Sequence, residues 1–281
     1  MKVNLTKIIF FLLLCATVKS QAQNSTYPWL KNKDRNTSSL CELISPPPGY
    51  NRTEAEKHSY ASWLRNLPIK SENNNVYLFD GNLKANQTAQ FKVLAIDVGR
   101  RDLQQCADAA IRLRAEYLFS QKAYDKIAFN FTSGDRASYS EWIEGFRPRV
   151  NGNNVEWIRS SQTDSSYENF RAYLDIVFIY AGSYSLSKEL NNVEDVSQVK
   201  IGDVFIKGGF PGHAIIVLDV VVNKNSQKAI VLAQSYMPAQ EIHVLKNPRN
   251  SETSPWYIIQ ETDLLYTPEW TFRWSDLKRF R

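Results

Sequence analysis

Two side chains able to do nucleophilic and acid–base chemistry stand out by their positions. Cys106 lies in DLQQCADAAIRLRAEYLF, near the start of a run with helical periodicity. His213, one of three histidines, comes after GGFPG and opens the apolar run AIIVLDV, the mouth of a strand. A thiol in the first turn of a helix sits at the positive end of the helix dipole. Such placements lower a cysteine pKa from about 8.5 into the range of roughly 3.5 to 7.5. An imidazole on a neighbouring strand can take the thiol proton, and the thiolate can then attack a carbonyl carbon, which is acyl transfer. A third group should orient the ring. If the turn between HAIIVLDVVV and KAIVLAQSY centres near Asn225, residue 213 lies across from about residue 237, and Gln234 and Ser235 fall near the ring. A slip of one residue exchanges them. The Gln234 amide can accept the imidazole N–H and fix its tautomer, so the candidate site is Cys106, His213 and Gln234.

Each member also has a purely structural role open to it. Cys106 shares a helical face with Ala110, Leu113 and Tyr117, as a small buried thiol would. It could also pair with Cys41 in an oxidising compartment. His213 could be a hydrogen-bonded core histidine, although Gly209 and Gly212 would let a substrate backbone come close. His243, between Ile242 and Val244, reads as decoration on a strand face, and His58 as a solvated residue. Gln104, Gln105 and Asn130 could donate to an oxyanion, but free N–H groups at the helix start are a more economical source. Glu141, Glu144 and Glu156 define no carboxylate pair for sugar hydrolysis by spacing alone. No C-x-x-C or His/Cys run has metal-ligand spacing, and no metal or organic cofactor is implied.

Pattern along the chain places these residues on helices and strands. MKVNLTKIIFFLLLCATVKSQA has the charged, apolar and small-residue parts of a secretory signal, with cleavage expected after Ala22. Its removal takes away Lys2, Lys7 and Lys19 and lowers the formal charge from +5 to +2. A nearly neutral chain has no electrostatic footprint for nucleic acid. No later run is long enough to cross a bilayer, since AIIVLDVVV carries Asp219. Residues 23–45 read as a flexible lead-in and 46–281 as one α+β domain, with helices first and an antiparallel meander after. Helices are expected over residues 54–67, from Leu103 with Asp102 as N-cap, and from Asp164 or Ser165 through Leu190. Strands are expected in NVYLFDGN, FKVLAIDVG, IGDVFIKGG, HAIIVLDVVV, KAIVLAQSY, EIHVLKN and WYIIQ.

Two resemblances add to this. The Cys106 helix, the hairpin strand Gly202-Asp203-Val204-Phe205 and the Gly212-His213 strand opening resemble the NlpC-like branch of papain-fold hydrolases. That resemblance implies a papain-like core and a thiol hydrolase of amide or peptide bonds, with peptidoglycan stem peptides or another envelope peptide as substrate. The branch has Asp directly before its cysteine, where this chain has Gln105, and here 95 residues separate Cys106 from Gly202. More broadly, the blocks RDLQQCADAAIRLRAEYLFSQKAYDKIAFNFTSG, GDVFIKGGFPGHAIIVLDV and LAQSYMPAQEIHVLKNP resemble a bacterial envelope-protein family known as a domain of unknown function. This likeness implies an exported bacterial protein. The rival expectation is a non-catalytic envelope domain that uses the same groove for binding or assembly.

Overall fold

The computed structural model describes residues 26–30, 37–260 and 263–281. The expected signal segment, residues 1–22, lies outside the described residues. The fold is α+β, with packed helices on a large antiparallel sheet. In chain order the sheet strands are β1 Tyr50–Arg52, β2 Gln90–Val93, β3 Asn191–Asn192, β4 Val204–Lys207, β5 His213–Asn223, β6 Lys228–Gln234, β7 His243–Leu245, β8 Trp256–Ile258 and β9 Leu277–Arg279. They run β2-β7-β6-β5-β4-β9-β3 across the sheet, with β1 added to the far end of β5 and β8 to the outer part of β6. The meander β4 to β7 is the expected one. Its edges are closed by strands from opposite ends of the chain, which local pattern does not foretell.

Strand β5 is buried on both faces, so it reads as a continuous apolar run rather than an alternation. Ala214, Ile216 and Leu218 face the larger core, with Ala110, Ile111 and Leu113 of the Cys106 helix. Ile215, Val217 and Val220 face a smaller core closed by Phe272, Trp274 and Leu277. The β5–β6 register matches the expected one from Lys228↔Val222 to Val231↔Asp219, then shifts by one at Leu232↔Val217. Leu218 is the extra residue, a β-bulge that twists the pair and re-aims the side chains beyond it. Beside it the wholly buried Asp219 accepts from Arg52 Nε at 2.8 Å and Arg65 Nε at 2.7 Å, tying β1 and the helix Tyr60–Arg65 to the bulge.

Several expectations need correction. The lead-in is not loose where it is described: Tyr27, Trp29, Leu40 and Ile44 are buried in the main core, and the Tyr27 hydroxyl donates to the Trp63 carbonyl. Aromatic burial outweighs the polar composition around these residues. NVYLFDGN forms only isolated bridges, Tyr77↔Leu83 and Leu78↔Gln240. There the Gln87 side chain bonds the Val76 backbone, through its oxygen at 3.0 Å and its amide at 2.8 Å, and the Lys84 N–H shares the Val76 carbonyl. The expected long helix is two, Tyr167–Tyr180 capped by Ser166 and Ser183–Glu189, broken at Ala181–Gly182. The segments at 146–159, without an assignment from pattern, form a hairpin, Phe146–Asn151 with Asn154–Arg159.

Candidate functional site

The helix bearing the thiol spans Cys106–Ser120, with Gln105 as its N-cap. Asp102, the expected cap, instead uses Oδ1 to accept from the Ala239 N–H at 2.6 Å and the Gln105 side-chain amide at 3.1 Å. The helix starts three residues later than pattern suggests, which makes Cys106 its first residue. The backbone N–H groups of Ala107, of Cys106 itself and of Ala214, the residue after His213, all act on the sulfur and favour its charged form. Burial and the neighbouring Asp108 outweigh them and push the thiol up to about 11. The expected depression of its pKa is therefore overturned: desolvation beats the dipole here. Asp108 is itself buried and raised to about 8, by desolvation foremost, while its Oδ2 accepts from the Gln105 N–H.

His213 is 1 % exposed and packs among Tyr236, Trp270 and Phe272, with ring centroids at 4.7, 5.2 and 5.8 Å. Its Nε2 lies 2.9 Å from Gln234 Oε1. Burial lowers its pKa to about 4, against the opposing pull of Gln234 and Glu269, so the ring is neutral at neutral pH. Ser235 is turned away, its one hydroxyl hydrogen shared between the carbonyls of Gln104 and Gln240. The bulge decides between them, because it sets which residue of β6 shares a face with His213.

The structure thus brings Gln234 to His213 and the Cys106 sulfur to the N–H of the next residue. It does not join thiol and ring: among the described residues no hydrogen bond links Cys106 to His213. The strand's pleat explains this. His213 leaves β5 on the face of the smaller core, against Phe272, while the Cys106 helix covers the other face. Tyr236 is near both: its ring packs on His213, and a charge on Cys106 would raise the pKa of its hydroxyl.

Four further residues complete a polar network that sequence reasoning missed. Glu269 Oε2 accepts from Gln234 Nε2 at 2.7 Å and from Lys84 Nζ at 2.5 Å, and its Oε1 accepts from Asn86 at 3.1 Å. His243, expected to be mere decoration, is fully buried, with Nε2 3.4 Å from Gln234 Nε2 and Nδ1 2.9 Å from the Glu241 carbonyl. Its placement directly opposite Gln234 was implicit in the meander, since the two are register partners. Lys84 and Glu269 carry no such signal.

Other candidates fall elsewhere. Gln104 is buried, with its side-chain oxygen on Arg112 at 2.8 Å, and the Asn130 backbone N–H is held by Glu189. Gly212 serves the chain's own turn: a Cβ there would meet Ser183 Oγ at 2.3 Å and the Gly209 carbonyl at 2.4 Å. Cys41 and Cys106 are both free, with Cys41 Sγ 3.4 Å from the Asn66 side chain. Among the described residues no three of His, Cys, Asp or Glu are gathered as metal ligands, and no helix is long and apolar enough to cross a membrane.

Fold and site together define an α+β protein with a helix-borne thiol near the mouth of a sheet whose adjacent strands hold a buried His–Gln–His set, joined from the loop before Thr271 by Glu269. The chain belongs to the family described as Domain of unknown function (4846), which it matches over residues 40–279. No curated protein and no solved structure matches it.

Proposed function

We propose that the protein is an exported thiol hydrolase of amide or peptide bonds, with Cys106 as nucleophile, His213 as general base and Gln234 as the group that orients the ring. The observation that carries this is the 2.9 Å contact of His213 Nε2 with Gln234 Oε1, together with a cysteine that begins a helix and whose sulfur feels the N–H of Ala214, the residue after His213. With Nε2 occupied by the amide oxygen, Nδ1 is the ring nitrogen left to take a proton. The Cys106 sulfur leaves the Ala214 N–H for the ring, Nδ1 takes its proton, and sulfur bonds to the substrate carbonyl carbon. The imidazolium returns that proton to the leaving amine as the C–N bond breaks. Water, activated by the same nitrogen, then cleaves the thioester and restores the thiol. The NlpC-like order of parts favours peptidoglycan stem peptides or another envelope peptide as substrate, and the signal-like segment favours periplasmic or secreted action once the chain is cut after Ala22.

A raised thiol pKa and a neutral ring describe a neutral pair rather than a thiolate–imidazolium pair. Alkylation of Cys106 in the folded protein, read by mass spectrometry, should accelerate steadily from pH 7 to pH 10 with no plateau below neutral. His213→Ala should slow it at pH 7. Cys106→Ala should abolish turnover while leaving the fold intact. The same raised pKa favours a second reading, a non-catalytic envelope binding or assembly domain. A thiol inert to alkylation until denaturation establishes that reading and removes the hydrolase.

A further inference from the structure

The amide of Gln234 can be assigned end by end from its surroundings. His243 Nδ1 lies on the Glu241 carbonyl, which can only accept, so this nitrogen carries the ring hydrogen. His243 Nε2 is then a bare acceptor, and it faces Gln234. Glu269, the other neighbour of the same end, is a carboxylate beside the Lys84 ammonium and also accepts. Two acceptors converge on one end of Gln234, so that end is the NH2 group and each of its hydrogens has a partner. The opposite end is the carbonyl oxygen, and it demands a donor from His213 Nε2. A flipped Gln234 would set its oxygen against a carboxylate and an imidazole lone pair inside a buried site.

We propose that Glu269 is a positioning residue: held by Lys84 and Asn86, it locks the Gln234 amide and through it the Nε2–H tautomer of His213. This rests on the reading of His213 as the base. The lock leaves Nδ1 as the ring nitrogen without the Gln234 contact and without a hydrogen, the one at which a proton can be taken. The groups facing His213 from every packed element are the rings of Tyr236, Trp270 and Phe272, the Gln234 amide and, beyond it, Glu269, Lys84 and His243. Among these, Glu269 is the one formal negative charge, and it stabilises the imidazolium that forms as Nδ1 takes a proton.

The test is long-range nitrogen–proton NMR of the His213 imidazole at pH 7, which reports its tautomer without any reaction at Cys106. The wild-type protein should show Nε2–H alone; an Nδ1–H ring there overturns the proposal, and needs no variant to fold. Glu269→Ala should give a mixture of both tautomers and slow Cys106 alkylation at pH 7. Glu269→Gln paired with Lys84→Met restores an oxygen for Gln234 without stranding a buried ammonium, and should restore the single tautomer. A tautomer unchanged in Glu269→Ala also overturns the proposal. If Cys106 proves inert while the tautomer responds as stated, the hydrolase fails and the positioning role of Glu269 stands.

Discussion

At Cys106 two opposing effects meet. Helix and strand N–H groups pull its pKa down; loss of water and the nearby Asp108 carboxyl push it up, and they win. Asp108→Asn should therefore bring the thiol pKa down, seen as alkylation of Cys106 that reaches a given rate at lower pH than in the wild type. Gln234 is the other decisive residue. Gln234→Leu would leave the His213 Nε2 donor buried without a partner, at a cost of about 1–3 kcal/mol. Urea unfolding should register that loss, and long-range nitrogen–proton NMR of the folded variant should show a mixed His213 tautomer. The identity of Gln234 as the ring's partner was legible as one of two adjacent candidates. Choosing between them required the bulge at Leu218, which no local pattern announces.

Among the elements, β5 carries the site at one end and its anchor at the other. The anchor is Asp219, with no exposed side-chain surface, between the Nε groups of Arg52 and Arg65. Removing one partner of a buried ion cluster is far costlier than the cluster's net worth, because it strands the remaining charge. Asp219→Ala should lower unfolding free energy by about 3–5 kcal/mol, measured by denaturant titration with an unchanged m-value. The turn into β4 is constrained in another way. Gly202 has φ +92°, and a Cβ there would lie 2.8 Å from the Tyr60 ring, so this position needs glycine for both conformation and space. Gly-Asp-Val-Phe is plain to read at this turn; the reason for its glycine is a helix far earlier in the chain.

Across the whole molecule, the two buried histidines make stability depend on acid. Both are lowered to about 4 in the fold by desolvation foremost. Between pH 6.5 and 4 the unfolded chain binds protons that the native rings refuse, so their contribution is complete above pH 6.5 and is lost as pH falls toward 4. Asp108, raised to about 8, acts in the opposite sense, and so do Glu116 and Asp203, each raised by burial. The effect is best read as a difference: His243→Asn should lose less stability than the wild type on acidification from about pH 6.5 to 4, by thermal unfolding at matched ionic strength. A slope identical in both proteins would show that His243 is not held neutral. At the same scale, N-terminal sequencing of the protein from its native host should find the chain starting at Gln23.

The α+β class, the meander β4 to β7, the placement of Cys106 on a helix start and of His213 on a strand start all came from composition and period. These depend on neighbours close in the chain, and helices of period 3.6 and strands of period 2 write themselves into residue order. The capping of the thiol helix was misplaced because Asp102 is claimed by Ala239, a partner more than a hundred residues away. The neutral state of the thiol, the pairing of Gln234 with Glu269 and Lys84, and the burial of His243 belonged to the tertiary structure alone. Desolvation and hydrogen bonding between distant residues are set by which elements cover one another, and residue order leaves no periodic trace of that.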